Sequence, residues 1–209
     1  MSGNPAIQSL EIEAVPFMEV KIPYMSEEEF YAFCAENPDL RVEREKNGKI
    51  VVMSPVGLLS GFYENEISGE LREWNKKSRL GKCFSPSSGF ILPDTSIKSA
   101  DAAWISNGKW KELPKADRKK FGRIVPDFIV EVRSVTDSLK KLKEKVTESW
   151  LDNGVRLAWL IDPTQQKTYI FRADGSEEVI DGFDKKISGE DVLPGFIFDL
   201  SLLVDEDDG

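Results

Sequence analysis

The chain has 209 residues, 40% of them hydrophobic, and a net charge of −9, which allows one well-buried core or at most two small domains. No run approaches the roughly 20 apolar residues needed to span a bilayer, and no basic-then-apolar leader opens the chain, so a soluble cytoplasmic protein is expected. There is no histidine, which excludes a Ser-His-Asp triad, a Cys-His pair, a histidine-metal nuclease and most zinc sites.

Residues before about Pro23 read as an extended lead-in. Ser26-Glu27-Glu28-Glu29 is a capping box, followed by Phe30, Ala32 and Phe33, and predicts a short helix. Leu40 to Glu45 and Lys49 to Met53 flank Asn47-Gly48, the signature of a tight β-hairpin. Pro55 and Gly57 break the chain. Leu59 to Trp74 then carries Phe62, Ile67, Leu71 and Trp74 at helical spacing. Residues 81 to 105 read as strands and turns punctuated by Pro93-Asp94, with a strand at Ala100 to Ile105. Lys109 to Phe121 is a polar insert, partly helical. Ile124 to Val132 is strongly strand-like. Thr136 or Asp137 caps a helix to about Leu151, which Asn153-Gly154 stops. Val155 to Ile161, Lys167 to Phe171 and Glu177 to Ile180 are further strands before a loop-rich end. The order argues an α/β domain over residues 25–203, a mixed sheet with helices packed on it. Residues 1–24 form the lead-in and 204–209 an acidic tail, in which Asp205 to Asp208 read as a solvated end.

Without histidine, acid–base or metal chemistry falls to carboxylate, lysine, tyrosine or cysteine, and abundant Asp and Glu suit hard cations such as Mg2+ or Mn2+. Cys34 and Cys83 are isolated and suit a reducing compartment. The negative balance argues against broad, non-specific nucleic-acid binding. The basic clusters Arg118-Lys119-Lys120 and Lys140, Lys141, Lys143, Lys145 read as solvated faces.

Two carboxylates need a reason. In Phe128-Ile129-Val130-Glu131-Val132-Arg133, alternation puts Phe128, Val130 and Val132 on one face and Ile129, Glu131 and Arg133 on the other. An ionised Glu131 in an apolar strand is costly unless it is paired or binds a metal; a salt bridge to an arginine answers the pattern as well. Asp101, in Ser99-Ala100-Asp101-Ala102-Ala103-Trp104, sits in a segment where Asp is depleted, and a strand-end turn is the alternative account of it. Asp127 is a poor partner for Glu131, because four residues along one strand span about 13 Å. Asp101, on a separate strand, can converge on Glu131 if the strands are neighbours.

A set of segments then occurs in one order. It runs Glu43…Asn47-Gly48…Met53-Ser54-Pro55, Asn65-Glu66-Ile67, Ser87-Ser88-Gly89-Phe90 and Ser99 to Trp104. It continues with Pro126 to Ser134, Asp137-Ser138-Leu139, Asn153 to Pro163 and Gly189 to Phe196. This set resembles the Uma-type family of restriction endonucleases, within the PD-(D/E)XK nuclease superfamily, over nearly the whole chain. The resemblance implies a restriction-endonuclease-like fold, a mixed β-sheet flanked by helices with an N-terminal helix and β-hairpin. It implies an Asp and a Glu on adjacent core strands, here Asp101 and Glu131, and an acidic residue on the first core helix, here Glu66. Glu43 on the hairpin also matches the pattern. The ExK lysine position holds Arg133, which stays protonated and cannot act as a base, though it can contact phosphate. In many relatives the lysine comes from the following helix, where Lys145 fits, with Lys143 the competing choice. Lys145 borders the stripe of Leu139, Leu142, Val146 and Trp150, from which a lysine can also simply snorkel to solvent.

The expected chemistry is Mg2+- or Mn2+-dependent hydrolysis of nucleic acid, with DNA favoured. Asp101, Glu131 and the Val132 carbonyl are the expected ligands, Lys145 a catalytic group, Glu66 an auxiliary carboxylate, and a homodimer the working assembly. The alternatives are a catalytically silent nuclease-fold module that binds nucleic acid or protein, and a structural dimer in which Glu131 and Arg133 form only a buried ion pair.

Overall fold

The computed structural model describes residues 24–204; the lead-in before Tyr24 and the acidic tail beyond Val204 lie outside the described residues. Helix α1 (Glu27–Glu36) starts at Ser26, whose hydroxyl accepts from Glu29 N while Glu29 accepts from Ser26 N, closing the capping box. The hairpin of β1 (Arg41–Arg44) and β2 (Ile50–Met53) turns through Asn47-Gly48. Glu45 N donates to Lys49 O and Gly48 N to Glu45 O, leaving a three-residue loop with Gly48 at φ 86°. A glycine tolerates that positive φ, as three-residue hairpin loops require. Helix α2 (Leu58–Ser78) buries Ile67 and Leu71, whereas Phe62, expected on the buried face, is 43% exposed.

The central sheet has six strands in the order β10-β9-β8-β7-β6-β3. These are β3 (Gly81–Phe84), β6 (Ala102–Ser106), β7 (Phe128–Val132), β8 (Leu157–Asp162), β9 (Lys167–Arg172) and β10 (Glu177–Asp181). Only β7 and β8 run parallel. A parallel pair needs a crossover, supplied by α4 (Leu139–Glu144) and a π-helical continuation over Lys145–Leu151. Gly154, at φ 104°, ends that helix as expected. Its cap is Ser138, whose hydroxyl accepts from Lys141 N, and not Thr136 or Asp137. Asp137 instead closes the preceding turn on Ser134 N and Oγ.

Alternation along β7 separates two cores. Phe128, Val130 and Val132 join Leu157, Trp159 and Ile161 under α2 and the C-terminal segment. Ile129 joins Ala158 and Leu160 under Val146 and Trp150 of the crossover helix. The loop-rich end holds a small antiparallel pair, β11 (Lys186–Ser188) and β12 (Ile197–Asp199), whose Ile187 and Phe198 bury against the first core. A second sheet, β2-β1-β5-β4, adds β4 (Phe90–Ile91) and β5 (Ile97–Lys98). In the insert, α3 (Asn107–Glu112) and a 3-10 turn at Asp117–Lys119 are the helical parts. Strand β7 is shorter than the expected Ile124–Val132. Pro126 has no N–H to give a neighbour, and buried Asp127 is bound to Ser106 N at 2.8 Å and Lys109 Nζ at 3.0 Å.

Candidate metal and nuclease site

The register of β6 on β7 pairs Ala102 with Val130. One step further sets Asp101 opposite Glu131, and directly opposed residues point to the same side of a sheet. Asp101 sits at the bend just before β6 rather than inside it. That position frees its carboxylate to turn back onto β7, where its Oδ2 accepts from Val132 N at 2.7 Å. Glu131 is 3% exposed, while Asp101 and Lys145 keep partial solvent access, so the cluster is buried at its base and open at its mouth.

The first residue of the π-helical turn is Lys145. Its Nζ lies 3.0 Å from Glu131 Oε1 and 3.1 Å from Glu43 Oε1, and it donates to Ser99 O at 3.2 Å. Trp150, at the other end of that turn, donates from Nε1 to Glu131 Oε1 at 2.8 Å. The widened turn thus delivers an ammonium and an indole N–H, five residues apart, to one carboxylate; π-helical turns of this kind recur at functional sites. Lys143 points elsewhere, paired with Glu177 and lying over the Tyr169 ring at 3.9 Å.

Glu43 arrives from the second sheet. Its Oε1 accepts from Ser99 N at 3.1 Å and its Oε2 lies 3.3 Å from Lys98 Nζ, which also pairs with Glu45 at 2.6 Å. Lys98 is 2% exposed, so this ion pair clamps the hairpin to the strand leading into Asp101. Arg133 takes no part in that cluster. Its Nη1 donates to Asp162 Oδ2 at 2.7 Å and its Nε to Asp137 O at 3.1 Å, and Asp162 is fully buried. Arg133 therefore balances Asp162, not Glu131.

The acidic helical residue in the field of the two carboxylates is Glu64, not Glu66. Residues two apart on a helix are turned by about 200°, and Glu64 shares the face of Ile67 and Leu71. Burial raises the Glu64 carboxyl, Arg41 opposes the rise and Glu131 adds to it. The i, i+3, i+7 spacing from Glu64 to buried Ile67 and Leu71 is the readable signal for that choice.

The cluster is short of positive charge: Glu43, Glu45, Glu64, Asp101 and Glu131 face Lys98, Lys145 and Arg41. Burial lifts the Glu131 carboxyl to about 7; Lys145 resists, while Asp101 and Glu43 push it further up. Burial likewise lifts Asp101 to about 6, with Lys145 opposing and Glu64 reinforcing. Burial works against the charge of Glu43, but Lys145 and Lys98 hold its carboxyl below the ordinary range. Burial also works against the charge of Lys145, yet Glu131, Glu43 and Asp101 outweigh it and hold the ammonium above its ordinary value. Lys145 is thus a fixed cation at neutral pH, and Asp101 and Glu131 are the groups that gain from another.

An all-oxygen donor set of this kind suits a hard divalent cation. Among the described residues, no group of three or more His, Cys, Asp or Glu side chains is gathered as a metal site. One or two carboxylates are what Mg2+ commonly takes from a protein, the rest of its shell being water and phosphate.

The model of the Uma2 family, described as "Putative restriction endonuclease", matches residues 27–202. The chain belongs to the Uma2 family. A crystal structure from Anabaena variabilis ATCC 29413, described as a "putative nuclease belonging to DUF820", is similar with a TM-score of 0.64 at 20% identity, over 78% of this chain and 88% of that one. That likeness shows a restriction-endonuclease-like fold, as the sequence resemblance implies. No functionally curated protein matches the chain. Among the described residues, no helix of this Uma2 member is long and apolar enough to cross a membrane.

Proposed function

We propose that this Uma2-family chain is a metal-dependent endonuclease that hydrolyses phosphodiester bonds of nucleic acid, with DNA the favoured substrate. The observation that carries the reading is the register-opposed pair Asp101 and Glu131 with Lys145 against them, in a family described as "Putative restriction endonuclease". Asp101, Glu131 and the Val132 carbonyl are the proposed ligands of Mg2+ or Mn2+. Such an ion supplies an activated water at neutral pH and offsets charge on the phosphate.

The chain's own residues do the rest. Trp150 and Lys145 fix the Glu131 rotamer, and the Val132 N–H fixes Asp101, so both oxygens stay in place as charge develops. Lys145, kept protonated by its three carboxylate neighbours, stabilises negative charge on the phosphate rather than removing a proton. Glu64 is the auxiliary carboxylate at the mouth. Arg133 is a structural partner of Asp162 in this reading. The working assembly is a homodimer, so that two copies address two strands.

The test is cleavage of single- and double-stranded DNA and RNA with Mg2+ or Mn2+. The wild type should cut at least one of the four, and Asp101→Ala none at a comparable rate. A wild type inert on all four, or an Asp101→Ala variant that cuts equally well, removes the reading.

A further inference from the structure

A second feature has no role in the chemistry at Asp101 and Glu131. Between Lys109 and Arg123 stand seven lysines or arginines against two acidic residues, in a chain whose net charge is −9. Lys111, Lys115, Lys119 and Lys120 are exposed. Arg118 is not free: it lies over the Trp110 ring at 4.8 Å and donates to the carbonyls of Leu113 and Trp110. The insert is therefore a folded basic unit and not a loose charged loop.

This unit forms one side of a cleft of about 450 Å3, with α1 on the other. Tyr31, Phe84, Phe90, Trp110 and Phe121 contribute to its walls, and the exposed Lys119 and Lys120 also line it. Tyr31 is 41% exposed, with the Lys120 ammonium 6.0 Å from its ring centre. The volume lies within the range of small-ligand pockets, about 300–1,000 Å3. Phe84, Phe90, Trp110 and Phe121 are packed into the fold, but the exposed Tyr31 ring would be idle for an acidic peptide, and the lysines would be idle for an apolar ligand. A nucleobase with its flanking phosphates uses both, which is how single-stranded nucleic acid is commonly held.

The cleft is also coupled to the site. Phe90 meets Trp150 at 6.3 Å between ring centres, and Trp150 donates to Glu131. Along the chain, Ser87 to Phe90 line the cleft, while the preceding Pro86 carbonyl accepts from Arg41, a cation in the field of Asp101.

We infer that this cleft binds an unpaired nucleobase of the substrate strand, with Lys119 and Lys120 holding the adjacent phosphates. The inference deepens the nuclease reading and rests on it for the identity of the substrate. Stacking on an aromatic ring contributes enough for a tenfold effect on affinity, so each half of the site can be tested separately.

Binding is measured by fluorescence anisotropy in EDTA, where no cleavage intervenes. The probes are a labelled single-stranded oligonucleotide and an abasic strand of equal length, with a polyglutamate peptide as competitor. Tyr31→Ala should weaken the intact strand about tenfold and leave the abasic strand unchanged. The double variant Lys119→Ala/Lys120→Ala should weaken both strands. It should also flatten the salt dependence by about 1.4, at about 0.7 for each phosphate no longer neutralised. These side chains are exposed, and thermal melts verify that the variants stay folded. Wild-type affinity in both variants, or equal wild-type affinity for intact and abasic strands, overturns the inference. Polyglutamate competing as well as the oligonucleotide also overturns it and points to an acidic protein partner. A wild type that binds in this way but never cleaves with Mg2+ or Mn2+ counts against the nuclease reading alone.

Discussion

Trp150 donates its indole N–H to Glu131 Oε1 at 2.8 Å, and both residues are buried. This bond ties the crossover helix to the site strand, and Lys145 Nζ lies 3.0 Å from the same oxygen and 3.1 Å from the other. Trp150→Phe keeps most of the bulk and removes the donor. It should cost about 1.5–3 kcal/mol in urea unfolding, the range for a hydrogen bond to a charged group. It should also move the acid limb of the pH–rate profile upward, because Glu131 loses a group that favours its charged form. An unchanged acid limb would mean that Glu131 is not the group titrating in the reaction.

The pH dependence of the metal-free protein follows from the carboxylates. Asp101 at about 6 and Glu131 at about 7 both lie above their ordinary values of 3.8 and 4.5. A raised folded-state pKa contributes stability that is complete below the ordinary value and is lost as pH climbs through the folded value. Stability in EDTA should therefore fall by a few kcal/mol between about pH 4 and pH 8. Glu43, held low by Lys145 and Lys98, acts with the opposite sign, losing its contribution only in stronger acid. Millimolar Mg2+ should reduce the decline toward pH 8, since a ligand of the charged form stabilises the fold. Melting temperatures across that range, with EDTA and with Mg2+, decide the matter; superimposable curves would contradict it.

Lys145 neutralises three carboxylates at once. Lys145→Ala leaves them buried with less compensation, and a broken buried pair typically costs about 3–5 kcal/mol. The loss should be largest at pH 8 and shrink near pH 5, where Asp101 and Glu131 take up protons. The folded variant should cleave at least about a hundredfold more slowly. Lys143→Ala, which breaks only the pairing with Glu177, should cleave at the wild-type rate. Equal rates for the two variants would exclude Lys145 from the reaction.

Arg133→Ala tests the reassignment of the ExK position. It strands the fully buried Asp162 and should cost about 3 kcal/mol in denaturant unfolding, while the folded fraction keeps most of its cleavage rate. A variant of native stability with abolished cleavage would return Arg133 to a phosphate-binding role.

Local chemistry carries much of the fold. Ser26 and Glu29 announce α1, Asn47-Gly48 the hairpin and the alternation of Phe128 to Val132 the site strand, because each signal is satisfied within a few residues. What stays hidden depends on distant partners. The β11–β12 pair forms because irregularly spaced Ile187, Leu193, Phe196 and Phe198 fill the space beneath the central sheet. The π-helical widening at Lys145 leaves no compositional mark, so the pairing of Lys145 and Trp150 on Glu131 cannot be read from a regular helical wheel. Asp101 and Glu131 stand out in the sequence because carboxylates are unexpected there. Glu64 is marked only by its i, i+3, i+7 spacing to Ile67 and Leu71, because a carboxylate on a helix is ordinary and its role rests on the side of α2 that faces β6 and β7.

The central claim is that Asp101 and Glu131 together form one divalent-cation site, and Mn2+ binding tests it most directly. Loss of the free-ion paramagnetic resonance signal at pH 8 reads that binding without any assumption about substrate. The wild type should take up Mn2+ at micromolar to millimolar concentration, with Asp101→Asn and Glu131→Gln each at least about tenfold weaker and still folded. Mn2+ uptake that is undetectable in the wild type, or identical in all three proteins, would contradict it.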